Sequence, residues 1–423
     1  MTKTLFRSPF MQEASARGFL YQCTHAEELD ALMCQEPVTA YIGFDPTADC
    51  LHVGSLIQIM LLRLLQRHGH KVIALIGGGT AKIGDPSFRE ESRQLMTEER
   101  IKTNQIGIEA CLRQFLSFDD CGVRLVNNAD WLDRLMYIDV LRDVGVHFSV
   151  NRMLSFDSVK SRLDREQGLT FLEFNYSILQ AYDFRELSRR YGVCLQLGGS
   201  DQWGNIVSGV ELIRRTDQTA VMGMTTPLLT TASGGKMGKT ANGALWLSAQ
   251  RTSVFDYWQF WRNTADADVH RFLRLFTELP LKDYIELETL TGEDINKAKI
   301  ILATEATALC HGRIAAEEAA TAAHQTFTEK HMTTEGLPTH TLSENRLKNG
   351  ILLIDLLTET GLTTSKGEAR RLIRNGGARV NMTAIDDENH SISLQDMVGE
   401  NEKGIRLSYG RKRHILIKLE NVH

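Results

Sequence analysis

The chain has 423 residues, of which 42% are hydrophobic and 24% are charged, and its formal net charge is −5. This length predicts two or three domains, and the composition excludes a disordered or fibrous protein. Because the charges nearly balance, any surface that binds nucleic acid has to be a local basic one.

The seven cysteines are scattered and form no Cys-x-x-Cys pair. This usage predicts reduced thiols in a cytoplasmic protein and argues against structural zinc. The most apolar stretch, residues 56–65, contains Gln58 and Arg63 and is too short to span a bilayer, so no membrane partner is expected.

Residues from about 37 to 232 alternate β-rich apolar runs with helical patterns, which predicts an α/β domain with a doubly wound parallel sheet. Such sheets bind ligands at the carboxyl ends of their strands, and several Gly- and Asp-rich turns fall at those ends. The predicted strands are 38–44, 72–76, 123–127 and 193–197, and the predicted helices are 53–67, 97–115, 172–183 and 202–215.

The rest of the chain changes character twice. After a Gly-Gly loop at 233–240, the pattern is almost purely helical to about residue 327. A stretch with His, Thr, Gly and Pro then has the composition of a linker, and a unit of helices followed by short strands ends the chain. We therefore predict four segments: 1–232, 233–330, a linker at 331–349, and 350–423.

The first motif is YIGFDPTADCLHVGS at residues 41–55, where a predicted strand leads through a turn into a helix. The free amides of a helix start attract phosphate, and Gly54 permits close approach of a nucleotide. Thr47 and His52 can donate hydrogen bonds to phosphate oxygens. The alternative is an ordinary helix start capped by Asp49, with an incidental histidine.

The second motif is SGGKMGKT at residues 233–240. Lys236 and Lys239 on a glycine-rich loop predict a mobile cationic flap that closes on a polyphosphate during reaction. Alone, such a loop is more often a solvated turn. The two motifs together, in this order, favour phosphate chemistry.

These motifs resemble the signatures of the class I aminoacyl-tRNA synthetases. His52–Ser55 stands where that family has HIGH, and Lys236–Thr240 stands where it has KMSKS. Ser55 replaces the second histidine, whereas a KMGKT loop is usual in the tyrosyl branch. The resemblance to bacterial-type tyrosyl-tRNA synthetases covers essentially the whole chain and implies a Rossmann-like catalytic domain in the first segment and a helical domain in the second.

A polar stripe lies in the predicted helix at YSILQAYD, residues 176–183. Tyr176, Gln180 and Asp183 fall at i, i+4 and i+7, which places them on one face. Such a stripe usually faces solvent. Here it is embedded among apolar residues, which favours the lining of a pocket.

The resemblance implies that this pocket binds tyrosine. The family residues that hold the α-amino group match Tyr176, Gln180 and Asp85, and those that read the phenol match Tyr41 and Asp183. A site built to hydrogen-bond a hydroxyl leaves its own polar groups unpaired when phenylalanine enters. No editing domain is then expected.

The sequence QLGGSDQWGN at residues 196–205 follows a predicted strand and opens a helix. The resemblance implies that Gly199 and Asp201 contact the adenylate ribose, while Gln196 and Gln202 orient the substrate carboxylate and side chain. The alternative for Asp201 is an ordinary helix N-cap.

The resemblance also implies a reaction that needs no protein nucleophile, so alignment and charge stabilisation supply the rate. Mg²⁺ should accompany the ATP, with no cage of protein ligands. Arg89 and Arg93 match basic positions near pyrophosphate, with a solvated surface as the alternative. The residues implied for charge stabilisation are Thr47, His52, Lys236 and Lys239. The residues implied for ATP binding are Gly43, Asp45, His52, Gly54, Ser55, Gly199, Asp201 and Lys239.

The last motif is SKGEARRLIRNGGARVN at residues 365–381, which predicts a helix, a Gly-Gly turn and a strand. Residues 361–379 hold five basic side chains against one acidic one. An Arg-rich helix alone is most often a solvated surface. The full pattern resembles the small α+β RNA-binding module of the S-four type, which meets RNA phosphates with its basic face. The residues implied for tRNA binding are Lys366, Arg370, Arg371 and Arg374.

Taken together, the resemblance implies a tyrosine–tRNA ligase. It would activate L-tyrosine with ATP and pass the tyrosyl group to the 3′ end of tRNA(Tyr), as a cytoplasmic homodimer. One alternative is a tryptophanyl-type synthetase, a group that lacks the C-terminal appendage. The other is a non-catalytic RNA-binding protein on a synthetase scaffold, which should have lost the pocket residues that stand here.

Overall fold

The computed structural model describes residues 5–87, 96–118, 122–165, 168–232, 234, 237, 239–240, 243–332, 338–381, 383–398, 404–410 and 413–420. The chain divides into two compact units, Met1–Ala322 and Ala323–His423. The division of the first unit at residue 232 stays a prediction.

A six-stranded sheet forms the centre of the first unit. Its strands are β1 (Gln22–Cys23), β2 (Thr39–Phe44), β3 (Lys71–Ile76), β4 (Val123–Asn127), β5 (Leu195–Gly199) and β6 (Met222–Thr226). Their order is β1-β6-β5-β2-β3-β4, and every neighbouring pair is parallel except β1–β6. The doubly wound parallel sheet is confirmed, with one short antiparallel strand at its edge. A hairpin of β7 (Lys239–Thr240) and β8 (Gly243–Ala244) lies outside this sheet.

The order of the strands determines where a ligand can bind. The chain runs from β2 through β3 to β4 on one side, and β5 and β6 lie on the other. The crevice at the carboxyl ends of β2 and β5 is therefore the topological switch point, where sheets of this kind bind ligands. The strands there are buried on both faces, as in β3, where Lys71 alone is exposed.

Helices cover both faces of this sheet and then continue the chain. The helix predicted at 172–183 is interrupted at Asn175, which ends one helix and begins the next. The helices are α1 (Pro9–Arg17), α2 (Ala26–Gln35), α3 (Leu56–Arg67), α4 (Glu98–Phe115), α5 (Ala129–Leu132), α6 (Tyr137–Asp143), α7 (Val150–Leu154), α8 (Asp157–Asp164), α9 (Phe171–Phe174), α10 (Tyr176–Tyr191), α11 (Trp203–Asp217), α12 (Val254–Arg262), α13 (Asp266–Phe276), α14 (Leu281–Leu287), α15 (Ile295–His311) and α16 (Arg313–Met332). Short 3-10 turns are Val53–Ser55, Thr80–Lys82, Gly145–His147, Ser200–Gln202 and Gly292–Asp294.

The second unit has its own sheet and core. Its strands are β9 (Thr339–Leu342), β10 (Ile351–Leu352), β11 (Ala378–Val380), β12 (Thr383–Ile385), β13 (Ser391–Ile392), β14 (Ile405–Tyr409) and β15 (Arg413–Leu419). Its helices are α17 (Glu344–Lys348), α18 (Leu353–Glu359) and α19 (Lys366–Arg374), with a 3-10 turn at Leu394–Asp396. Five strands form one sheet in the order β12-β11-β14-β15-β9, and β10 pairs with β13. Leu353, Leu357 and Ile373 are among the buried residues of its core.

The prediction of a linker at 331–349 is wrong for most of that stretch. β9 and α17 occupy residues 339–342 and 344–348, and β9 pairs in parallel with β15. Within β9 only Leu342 is buried, so the strand is held mainly by pairing with a segment more than seventy residues later. Residues 333–337 lie outside the described part of the chain.

No helix among the described residues combines the length and the apolar character needed to cross a membrane.

Candidate active site

A cavity of about 350 Å³ lies at the switch point of the first unit. Its walls come from the ends of β2 and β5, from the segment between β2 and α3, and from α10. The predicted site residues that line it are Tyr41, Gly43, Asp45, Thr47, His52, Gly54, Ser55, Asp85, Tyr176, Gln180, Asp183, Gln196, Gly199, Asp201 and Gln202.

The remaining predicted residues are placed differently. Lys236, Arg89 and Arg93 lie outside the described residues. Lys239 begins β7, which pairs with β8, but only its backbone is described. The four residues predicted to bind tRNA lie on α19 in the second unit.

Asp183 is the most deeply buried carboxylate of the cavity, with 2% of its surface exposed. Its Oδ1 accepts a hydrogen bond from Trp131 Nε1 at 2.7 Å, and its Oδ2 accepts one from Asn128 Nδ2 at 2.8 Å. Burial raises the pKa of Asp183 to about 8, although these two hydrogen bonds act in the opposite direction. Asp183 therefore holds its proton to a higher pH than an ordinary aspartate does.

Tyr41 lies close enough to Asp183 for the charge of the carboxylate to affect its hydroxyl. Tyr41 is 1% exposed, and its hydroxyl has no hydrogen-bond partner among the described residues. Burial raises the pKa of Tyr41 well above its ordinary value, and the nearby charge of Asp183 adds to the effect. The ring packs against Phe184, with ring centroids 5.4 Å apart. Because a buried hydroxyl normally has a partner, this group is an unmet hydrogen-bonding position inside the cavity.

Tyr176 connects the stripe on α10 to the turn after β2. Its hydroxyl donates to Asp45 Oδ2 at 2.9 Å, and Thr80 Oγ1 donates to Asp45 Oδ1 at 2.7 Å. Asn128 in turn donates to Thr80 Oγ1 at 3.0 Å. One chain of hydrogen bonds thus runs from the predicted phenol end of the cavity to the predicted nucleotide end.

A second set of hydrogen bonds fixes the amide side chains. Gln202 Nε2 donates to Asp85 Oδ2 at 2.8 Å, and the other Asp85 oxygen accepts the amide of Ser87 at 2.9 Å. Asn205 Nδ2 donates to Gln180 Oε1 at 2.9 Å. Asp85 and Gln180, predicted from different motifs, therefore belong to neighbouring parts of one network.

His52 shapes the start of the helix beside the cavity. Its Nδ1 accepts the backbone N–H of Gly54 at 2.9 Å, so a neutral ring carries its proton on Nε2. A Cβ added at Gly54 would lie 2.5 Å from the ring of His52, which explains the glycine there. The alternative that Asp49 caps this helix start is wrong, because the N-cap residue is His52, and Asp49 pairs instead with Arg251.

The described lining of the cavity is acidic. Asp45, Asp85, Asp183 and Asp201 line it, and no Lys or Arg does so among the described residues. The described residues also hold no group of three or more His, Cys, Asp or Glu side chains that could bind a metal ion. A polyanion entering this cavity therefore needs positive charge from outside these walls.

Sequence reasoning missed Asn128, Trp131 and Asn205. Asn128 follows β4 directly, and the carboxyl end of a parallel strand is where a ligand-facing polar residue is expected. Trp131 carries no such signal, because its indole is recognised as a partner of Asp183 only once the fold brings them together.

In the second unit, α19 presents a basic face. Ser365 caps the helix by accepting the N–H of Glu368 at 3.3 Å. Arg370, Arg371 and Arg374 are exposed. Glu388 lies opposite two of them, pairing with Arg374 and, at 3.9 Å, with Arg370. Arg370 and Arg374, one turn apart on the helix, therefore share a face.

Two family models match the chain. Residues 33–328 match the class I tRNA synthetases (W and Y), and residues 329–417 match the C-terminal domain of tyrosine–tRNA ligases.

Relatives of similar length match almost end to end. The chain is 59% identical to the tyrosine–tRNA ligase of Gluconobacter oxydans over 97% of this chain and 99% of that protein. It is 58% identical to the tyrosine–tRNA ligase of Zymomonas mobilis, over 98% and 99%. Among solved structures, it is similar to a C-terminally truncated mitochondrial tyrosyl-tRNA synthetase of Aspergillus nidulans. That match has a TM-score of 0.69 and 30% identity, and it covers 76% of this chain and 95% of that one.

Proposed function

The chain belongs to the tyrosine–tRNA ligases, class I tRNA synthetases of the tryptophan and tyrosine family, and on this premise we propose how its residues divide the reaction. Ligases of this kind activate tyrosine with ATP, forming tyrosyl-adenylate and pyrophosphate. A ribose hydroxyl at the 3′ end of the tRNA then takes the tyrosyl group and releases AMP. The observation that carries the assignment of residues is the buried hydroxyl of Tyr41 near Asp183, which has no hydrogen-bond partner in the part of the chain that the structure describes.

Tyr41 and Asp183 read the phenol of the substrate. A phenol hydroxyl is both a donor and an acceptor, so it can engage both side chains at once. Asn128 and Trp131 hold the carboxylate in place by hydrogen bonds to its two oxygens. Phenylalanine would leave the hydroxyl of Tyr41 without a partner and would give Asp183 no hydrogen bond beyond those from Asn128 and Trp131, which is the basis of discrimination in a site of this kind.

Tyr176, Gln180 and Asp85 bind the α-amino group of tyrosine. The acidic lining supports this assignment, because a substrate ammonium gains from nearby carboxylates. Gln196 and Gln202 orient the substrate carboxylate and side chain. Gln196 Oε1 is buried without a hydrogen-bond partner among the described residues, so a bound ligand can complete its hydrogen bonding.

ATP occupies the His52 end of the cavity. Gly43, Gly54, Ser55 and Gly199 form its cradle, Asp45 and Asp201 line the same end, and Asp201 contacts the ribose. Thr47 and the Nε2–H of His52 donate to phosphate oxygens. Mg²⁺ arrives bound to the ATP phosphates, which with water supply most of the ligands it prefers.

Lys236 and Lys239 bring the positive charge that the described cavity walls lack. Departing pyrophosphate carries the negative charge that develops in the first step, and preorganised cations lower the barrier by stabilising it. The hairpin of β7 and β8 holds the backbone of Lys239. A loop that closes only with ATP bound would deliver this charge when it is needed.

The basic face of α19 binds tRNA(Tyr). Lys366, Arg370, Arg371 and Arg374 supply the cations, and phosphate contacts of this type position an RNA rather than read its sequence. Glu388 and Asp355 neutralise part of this face in the free protein, since Lys366 Nζ lies 2.7 Å from Asp355.

The protein works as a cytoplasmic homodimer. Large apolar side chains are exposed from the residue before α6 to the end of α7, including Met136, Ile138 and Val146, each more than two-thirds exposed. Several exposed apolar side chains within one stretch of chain favour an interface, and a second copy is the simplest partner. Light scattering of the purified protein should give twice the chain mass of 47.6 kDa.

Amino-acid-dependent exchange of pyrophosphate into ATP tests the assignment. We expect exchange with tyrosine and none with tryptophan, followed by tyrosylation of tRNA(Tyr). Exchange with tryptophan alone would support the tryptophanyl alternative. Absence of exchange with any of the twenty amino acids would support the non-catalytic one.

A further inference from the structure

Helix α4 packs against the loop that follows β2, on the proposed nucleotide side of the cavity. Asn104, fully buried, donates from Nδ2 to the carbonyl of Pro46 at 2.9 Å. A Cβ added at Gly107 would lie 1.8 Å from the carbonyl oxygen of Asp49, so helix and loop touch there without a side chain between them. These residues lie on one face of α4, and the next residue on that face is Cys111.

Cys111 meets a second cysteine in that loop. Its Sγ lies 3.1 Å from Sγ of Cys50, and the side chains are 2% and 4% exposed respectively. Cys50 also lines the cavity, two residues before His52. The two thiols are thus in direct contact, and a small molecule in the cavity reaches one of them.

The contact also changes the acidity of the pair. A hydrogen bond from Cys50 lowers the pKa of Cys111, and the same bond raises the pKa of Cys50. Because the thiolate is the reactive form, this arrangement favours reaction at one sulfur with the other next to it.

We propose that Cys50 and Cys111 form an oxidisable dithiol, and that their disulfide slows the ATP-dependent step of the reaction. The second half of this inference rests on the proposed function, whereas formation of the disulfide does not.

The oxidant is a small peroxide. One thiolate attacks the peroxide and becomes a sulfenic acid, while one oxygen leaves as water or an alcohol. The second thiol attacks the sulfenic sulfur, the S–S bond forms, and hydroxide takes up the thiol proton and leaves as water. The two sulfurs together lose two electrons and two protons, and the peroxide is reduced. A dithiol compound reverses the step by exchange.

The disulfide would displace the loop that carries His52. The two sulfurs would approach from 3.1 Å to about 2.0 Å. Because the loop packs directly against α4 at Gly107, it cannot follow this approach unless its own backbone moves. A misplacement of about 1 Å in a site that works by alignment costs roughly 100-fold in rate. Because the loop and the helix would each take part of the shift, we expect the rate of pyrophosphate exchange to fall about tenfold or more.

Peroxide treatment of the full-length protein tests this directly. The protein is oxidised, alkylated and digested without reduction, and disulfide-linked peptides are identified by mass spectrometry. We expect a peptide pair joining Cys50 to Cys111. Tyrosine-dependent pyrophosphate exchange, measured in parallel, should fall about tenfold or more and recover with dithiothreitol.

Two variants control the experiment. Cys111→Ala, on the helix and outside the cavity lining, should keep its activity after peroxide, and Cys34→Ala, which removes an exposed thiol elsewhere, should behave as the unaltered protein. If Cys111→Ala does not fold, the peptide map of the unaltered protein still shows whether the Cys50–Cys111 disulfide forms.

Several results would overturn the inference. The first is the absence of a linked peptide under conditions that oxidise Cys34. The second is a disulfide from Cys111 to Cys310 instead of Cys50, and the third is a Cys50–Cys111 disulfide that leaves the rate of pyrophosphate exchange unchanged. A lack of exchange before any peroxide is added would count against the proposed function and leave the peptide map unaffected.

Discussion

Replacing Tyr41 by Phe should make the protein more stable and a poorer enzyme. The substitution removes a hydroxyl that is buried without a partner among the described residues and leaves the ring on Phe184. An unsatisfied buried polar group costs about 1–3 kcal/mol, so the free energy of unfolding should rise by about 1 kcal/mol. The same hydroxyl is the proposed partner of the substrate phenol, and a hydrogen bond of this kind is worth about 0.5–1.5 kcal/mol. The kcat/KM for tyrosine should therefore fall roughly 2- to 13-fold.

Urea unfolding and pyrophosphate exchange measure the two effects separately. Tyr284→Phe is the matched control, because its hydroxyl is also buried without a partner among the described residues but lies on α14, outside the cavity. It should gain stability and keep the kcat/KM for tyrosine. A Tyr41→Phe protein that is clearly less stable, or whose kcat/KM for tyrosine matches that of the control, would contradict the role assigned to this hydroxyl.

Three further changes address other parts of the site. Because burial raises the pKa of Asp183 to about 8, from about 3.9 in an unfolded chain, the folded protein keeps a proton that the unfolded chain releases. The unaltered protein should thus lose stability relative to Asp183→Asn as the pH rises from about 4 to 8; urea unfolding at pH 5 and pH 8 would show this, and a constant difference would contradict it. Lys239→Ala should lower the rate of adenylate formation roughly 100-fold and leave the Kd for tyrosine within about twofold, whereas equal losses in rate and affinity would contradict the assigned role. Gly54→Ala should raise the KM for ATP with little change for tyrosine, because its Cβ displaces the ring of His52, and an unchanged KM for ATP would show that the ring position is unimportant.

The sequence was most informative where the signal is local. The stripe of Tyr176, Gln180 and Asp183 follows from helical spacing alone, and all three line the cavity. The sheet is predictable for the same reason, since runs such as residues 72–76 are continuous, apolar and bounded by turns. When a motif lies within one turn or at one strand end, its spacing in the sequence determines how its side chains are arranged.

What could not be predicted depends on residues far apart in the chain. Trp131 and Asp183 are 52 positions apart, and Cys50 and Cys111 are 61 apart, with no spacing rule that joins either pair. The composition of Thr339–Leu342 is that of a linker, and its hydrogen-bond partners as a strand lie in the last strand of the chain. Only the folded chain brings such partners into contact.

The carboxylate of Glu388 affects how the proposed binding of RNA by the second unit should depend on ionic strength. In the free protein this side chain already forms ion pairs with Arg374 and Arg370. An RNA phosphate that binds these arginines therefore displaces a carboxylate of the protein as well as solution counterions. The release of condensed counterions is what makes such binding weaken with salt. A plot of log affinity against log salt concentration should therefore be shallower than the four basic side chains of α19 would suggest, and Glu388→Gln should steepen it.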